Sequence, residues 1–322
     1  MKKRLFKSVL AVMLAVIMLL VFAACGDGGN TGSGGKDKKI VVLLKNVVNP
    51  FWVDVQTGAK AAGDDTDGFT VDVIAPVTAD SNEEQINLID QQLLDPPDAF
   101  VIAPADSQGI APAIQRINEK GIPVINVNTR ITGEGAKYDS FVATDNVEVG
   151  YVTMKALAEK MGGKGNVVII LGVTGQQNTS DRLEGAKKAI DEFPDIKILD
   201  EQTANWNRAE SMKVMQDLLQ KHADINAVFT QNAEMAIGAS EAIKQAGKIG
   251  DIKIGGIDVF KEIIDKIKAG DVTLTNDGVS YQQGYQAVMA AIDVLNGKQI
   301  SDRIKIETKI VDESNAGEYK FD

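Results

Sequence analysis

A single cysteine and a single histidine limit the nucleophilic and metal chemistry open to this 322-residue chain. His222 closes a helical pattern, Arg208 to His222, that leads away from the ends of the apolar segments. A Ser/His/Asp set or a metal cluster therefore has nothing to build on. No Gly-x-x-x-x-Gly-Lys-Ser/Thr phosphate loop is present, and spacing marks no two carboxylates among the 45 acidic residues as an acid/base pair. No catalytic residue, metal or cofactor is expected. What recurs instead is a polar or aromatic residue directly after each short apolar run, beginning with Lys45, Asn49, Pro50, Phe51 and Trp52. Such groups bind by stacking and hydrogen bonding.

The elements that must position them alternate through almost the whole body. Short β-branched runs at Ile40 to Lys45, Phe69 to Ile74, Ala99 to Ala103, Pro123 to Asn126, Asn166 to Leu171, Ala227 to Thr230 and Ile252 to Ile257 predict strands. Amphipathic stretches at Phe51 to Ala62, Glu83 to Leu94, Val147 to Met161, Arg208 to His222 and Glu234 to Ala246 predict the helices between them. Strand, helix, strand in succession implies parallel sheets covered by helices, an α/β fold. A run such as Val167 to Leu171, apolar at every position, suits a sheet buried on both faces. In open sheets of this kind, ligands collect at the carboxyl ends of the strands.

The N-terminus reads differently. Lys2, Lys3, Arg4 and Lys7 precede sixteen uncharged residues from Val9 to Ala24, the layout of an export signal and short for a membrane span. Phe22, Ala23, Ala24 and Cys25 resemble a bacterial lipobox, so cleavage after residue 24 and lipidation of Cys25 are expected, with residues 25–38 as a flexible tether. The expected product sits outside the cytoplasm, anchored by lipid to the outer face of the cell membrane. Without the four leading basic residues, 30 Lys and Arg face 45 Asp and Glu, a charge of about −15. Nucleic acid is a poor partner for such a chain. The length suggests two domains.

Residues 40–59, IVVLLKNVVNPFWVDVQTGA, closely resemble the start of the periplasmic sugar-binding proteins of the ribose, allose and galactose group, the allose type in particular. The likeness continues through PVINVNTR at 123–130, FVATDNVEVG at 141–150, TANWNRAESMKVMQDLL at 203–219 and AVFTQNAEMAIGA at 227–239, and spans residues 39–312. It implies two Rossmann-like lobes of the periplasmic binding protein type I, joined by three crossings near Thr144, Asp277 and Glu307. The N-terminal lobe would hold 39–143 plus 278–307, and the C-terminal lobe 144–277 plus 308–322. It also implies a monomeric receptor that captures a monosaccharide by hinge closure and serves an ABC permease and its ATPase subunit. In an alternative, the same receptor reports its ligand state to a membrane sensor. A sugar-responsive repressor would carry a basic helix-turn-helix head where this chain has its export signal.

On matching positions, the resemblance makes Phe51, Trp52 and Trp206 stacking plates, the first two from one lobe and the third from the other. Lys45, Asn49 and Asn128 would contact ligand from the first lobe, and Arg182, Asn232 and Asp258 from the second. Asn276, with Asp277 beside it, would lie at the crossing. A pyranose has C–H faces and a rim of hydroxyls, so plates above and below with planar hydrogen-bonding groups at the edge suit it. Simpler readings stand beside these. Phe51 and Trp52 could be core, Arg182 a helix-start ion pair on a solvated face, and Asp258 an N-cap for a helix from Phe260 to Ala269. The chain departs from its models at Ala103, Asn128, Thr129 and Ala233, and at Gln176 and Asn178, where the galactose type has His and Asp.

Overall fold

The computed structural model describes residues 37–321; the export signal, Cys25 and nearly all of the tether expected from sequence lie outside the described residues. Along the chain come β1 (Lys38–Leu43), α1 (Pro50–Asp64), β2 (Phe69–Ile74), α2 (Asn82–Gln92), β3 (Ala99–Ile102), α3 (Ala111–Glu119), β4 (Val124–Val127), β5 (Ser140–Ala143) and α4 (Asn146–Lys160). Next are β6 (Lys164–Leu171), α5 (Gln177–Ile190), β7 (Asp195–Thr203), α6 (Arg208–Lys221), β8 (Ala227–Thr230), α7 (Ala233–Gln245), β9 (Lys253–Ile257) and α8 (Lys261–Lys268). The last elements are β10 (Leu274–Asp277), α9 (Ser280–Leu295), β11 (Arg303–Lys305) and β12 (Lys309–Asp312).

The strands form two six-stranded sheets, ordered β11-β5-β4-β3-β1-β2 and β12-β10-β9-β8-β6-β7. Both faces of each sheet are covered, which is why the central strands are apolar throughout. Ile40 and Val42 of β1 point into a cluster with α1 and α9, while Val41 and Leu43 point into one with α2 and α3. All neighbours in the first sheet are parallel. The second departs from the expected parallel arrangement at one edge, where β12 pairs antiparallel with β10. The chain there arrives from β11 of the other sheet after only three residues, so β12 enters at the end where the parallel strands of the second sheet finish and runs against them.

The chain passes between the sheets three times, between β5 and α4, between β10 and α9, and between β11 and β12. Just past the first of these crossings, α4 and α5 pack in close contact. A Cβ on Gly150 of α4 would lie 2.1 Å from the Arg182 carbonyl oxygen, and one on Gly185 of α5 would lie 1.9 Å from that of Val147. The two backbones touch, and this contact sets the position of Arg182.

Candidate functional site

In both sheets the strand order reverses beside the first strand of the unit, between β1 and β3 and between β6 and β8. Loops leaving the strands there diverge and open a crevice. The crevices of the two sheets face each other across a cavity lined from both sides, the kind of place where small-molecule sites form. The first unit contributes Lys45, Asn46, Asn49, Phe51, Trp52, Asp80 and Asn128, and the second Asn178, Arg182, Trp206, Asn232 and Asp258.

The plates are held from both sides. Asn49 caps α1, its side chain accepting from the Phe51 N–H, and Pro50 at the first turn has no N–H to leave unpaired. The Phe51 and Trp52 rings sit edge to face, 5.0 Å apart at 87°. Both belong to the hydrophobic cluster under α1 and both line the cavity, so core and wall are one surface. Across from them, Trp206 comes after Asn205, with φ of 61° and 50° respectively. Each indole has a cation near it, Lys45 Nζ 5.6 Å from the Trp52 ring centre and Arg182 Cζ 5.7 Å from that of Trp206.

Backbone strain marks the same place. Six described non-glycine residues have positive φ: Asp80, Asn128, Asn205, Trp206, Asp258 and Val279. Asp80, Asn128, Trp206 and Asp258 line the cavity, Asn205 adjoins it, and Val279 lies at a crossing. Each such conformation costs about 1–3 kcal/mol and persists where the surroundings enforce it, commonly at ligand sites.

The periplasmic binding protein domain model matches residues 40–299. The chain belongs to the periplasmic binding protein family. This binding protein is 30% identical to the ribose import binding protein of Bacillus subtilis over 314 residues, 94% of this chain and 98% of that one. It is 31% identical to the D-allose-binding periplasmic protein of Escherichia coli over 240 residues, 73% of this chain and 77% of that one. Among solved structures, the periplasmic solute binding protein of an ABC transporter from Actinobacillus succinogenes, with bound D-allose, superposes with a TM-score of 0.83 at 31% identity. That match covers 88% of this chain and all of the other.

Within the binding protein, several expected residues have partners that narrow what they can offer. Asn232 caps α7, accepting from the Met235 N–H at 2.8 Å and donating to the Trp206 carbonyl at 3.2 Å. Asn128 donates to Gln283 at 3.0 Å and accepts from the Thr129 hydroxyl. Arg182 is buried rather than solvated, donating to Asn146 at 2.8 Å and to the Gln231 carbonyl at 2.5 Å. Asp258 is no N-cap: Phe260 takes that place without a side-chain bond, and Asp258 Oδ1 has no hydrogen-bond partner among the described residues. Asn178 Oδ1 and both side-chain atoms of Asn276 are likewise unpartnered. Such buried groups cost about 1–3 kcal/mol each until something pairs with them.

Two expected residues do not line the cavity. Asn276 is fully buried on β10, its carbonyl accepting from the Asp258 N–H. Asp277 braces a crossing instead, accepting from the Val279 N–H at 2.9 Å and the Tyr319 hydroxyl at 2.7 Å, which engages both carboxylate oxygens. Sequence reasoning missed Asn46 and Asp80 as lining residues, and noted Asn178 only as a departure. Asp80 sits in a Thr-Ala-Asp-Ser-Asn stretch that reads as an ordinary turn. His222 lies within 3.2 Å of Asp200 and does not line the cavity.

The charges balance in number, Lys45 and Arg182 against Asp80 and Asp258. Burial pushes the Lys45 ammonium down to about 7, with Asp80 opposing the fall and Arg182 adding to it. Burial pushes the Asp258 carboxyl up to about 6, with Arg182 opposing the rise and Asp277 adding to it. Desolvation also lowers Arg182, against the pull of Asp258 and Asp181.

Proposed function

We propose that this protein captures a monosaccharide outside the cytoplasm by closing two lobes on it, and presents the closed form to an ABC permease. One observation carries the reading. A cavity between the two sheets has aromatic plates from both sides, Phe51 and Trp52 from one and Trp206 from the other, and unpartnered Asn178 and Asp258 oxygens at its edge. Flat apolar walls suit the C–H faces of a sugar, and hydroxyls pair with stranded carboxylate and amide oxygens. Relatives named for ribose and D-allose support an aldose as the first ligand to try. The lobes would comprise 39–143 plus 278–307 and 144–277 plus 308–322, with ligand supplying the differential affinity that drives closure.

A lipid tether on Cys25 belongs to the same proposal, supported by the small residues before it and the Gly/Ser-rich stretch after it. A thermal-shift screen of aldoses, ketoses and polyols tests the capture reading. Ligand at 100 times Kd adds about 2.7 kcal/mol to stability, so at least one should raise Tm by several degrees. Stabilisation by amino acids alone would contradict it.

A further inference from the structure

Gln176 is buried at the edge of the cavity and joins more of its groups than any ligand-facing residue. Its Oε1 accepts from Lys45 Nζ at 2.5 Å and from Trp206 Nε1 at 2.9 Å. Its Nε2 donates to Asp80 Oδ1 at 2.9 Å. Lys45 and Asp80 belong to the first unit, Gln176 and Trp206 to the second. One neutral amide thus spans both units and both polar handles beside the indole plates. The amide also lies between a cation and an anion with its dipole aligned to both, since the carbonyl faces the ammonium and the NH2 faces the carboxylate.

The segment that carries Gln176 makes other contacts across the cleft. The Ser107 N–H donates to the Gly175 carbonyl at 3.2 Å, the Gln177 N–H to Ser107 Oγ at 2.9 Å, and Arg130 pairs with Asp181 at 3.0 Å. All of these join protein groups to one another directly, so each contributes to the closed arrangement.

We propose that Gln176 is a positioning residue that couples closure to site assembly: as the lobes meet, its amide locks Lys45, Asp80 and Trp206 into the orientations that receive the ligand, and it favours the closed form before ligand arrives. Any closed population present without ligand reduces the conformational penalty on binding, because apparent Kd is the intrinsic value divided by the competent fraction. Gln176 acts through its three partners. The choice of ligand rests on the proposed sugar capture, whereas the closure bias does not depend on it.

The test compares the parent protein with Gln176→Ala and Gln176→Glu, with Lys221→Ala as a control distant from the cavity. Small-angle X-ray scattering without ligand reads closure, and calorimetric titration between pH 5.5 and 8.5 reads affinity for whichever pentose, hexose or polyol binds the parent. Gln176→Ala should enlarge the ligand-free radius of gyration and weaken binding at least tenfold, with saturating ligand restoring the compact radius. Gln176→Glu keeps an acceptor for Lys45 and Trp206 while losing the donor to Asp80. It should recover part of the affinity and hold the Lys45 charge to higher pH, against the desolvation and the Arg182 charge that lower it, so the loss of affinity above neutrality moves upward. Parental radius and affinity in Gln176→Ala, or a parental pH profile in Gln176→Glu, would overturn the proposal. A parent that binds no sugar would refute the capture reading, while the ligand-free scattering comparison would still decide the role of Gln176.

Discussion

A Cβ placed on Gly172 would lie 1.9 Å from Cζ2 of Trp206, so the indole rests directly on the backbone that leaves β6. The glycine is required there for space alone. Its N–H donates to Gln231 Oε1 at 2.9 Å, which fixes the platform on which the ring lies.

Gly172→Ala should therefore displace the indole from the cavity wall. Calorimetry should show sugar binding weakened at least tenfold, equivalent to about 1.4 kcal/mol. Far-ultraviolet circular dichroism should stay that of the parent, because the clash involves one side chain at a strand end. Parental affinity would show that the indole does not need this seat.

Asn232 is a cap and a cavity residue at once, and two substitutions separate those roles. Asn232→Ala loses the bond to the Met235 N–H, and an N-cap is worth about 0.5–2 kcal/mol, so Tm and affinity should both fall. Asn232→Asp keeps an acceptor for that N–H and loses the donor to the Trp206 carbonyl. It should hold Tm near the parent value while binding remains weak. Equal loss of Tm in both variants would show that the cap is not what stabilises this helix start.

The pH dependence comes from two buried charges. With its folded pKa raised to about 6 from 3.8, Asp258 gives stability that is present below 3.8 and lost as pH rises through 6. Hydroxyls donated to the carboxylate favour its charged form, so binding should release that proton and affinity should climb from pH 5 to 7. Lys45 has the opposite shift, lowered from 10.5 to about 7. Its contribution to stability is present above 10.5 and lost as pH falls through 7, and a ligand that needs its charge should bind less well above 7. Titration across this range should give a maximum near neutrality, with Asp258→Asn removing the acid limb. An acid limb that survives Asp258→Asn would assign it to another group.

Much of the fold was legible in the chain. The apolar runs at β1, β3, β6 and β8 announce themselves because those strands are central and buried on both faces. β7, DIKILDEQT, is a half-exposed edge strand whose charged residues hide the alternation, and β12, KIVD, is four residues whose direction no periodicity could reveal. At the site, Phe51 and Trp52 were marked as plates by the family resemblance, since aromatic residues that open a helix after an apolar run read equally well as core. Asp80 was not, since a turn acidic residue looks the same whether it faces a cavity or water. Gln176 was visible only as a departure from the galactose type. Its role depends on contacts 131 and 96 residues away in sequence, to Lys45 and Asp80.

The lipid tether has its own test. Cys25→Ser should leave sugar affinity unchanged, and membrane fractionation should find the variant released or unprocessed. Normally processed, membrane-bound Cys25→Ser protein would refute the assignment.

The central claim, capture of a single sugar between Trp206 and the opposing plates, is tested most directly by calorimetric titration of the parent and Trp206→Ala with the best ligand from an aldose, ketose and polyol panel. Removing the indole takes away a stacking face worth about 1–3 kcal/mol at roughly 25 cal/mol per Å². The expected result is one-to-one binding by the parent and a loss of tenfold or more in a still-folded Trp206→Ala. Parental affinity in that variant, or no polyhydroxyl ligand for the parent, would contradict it.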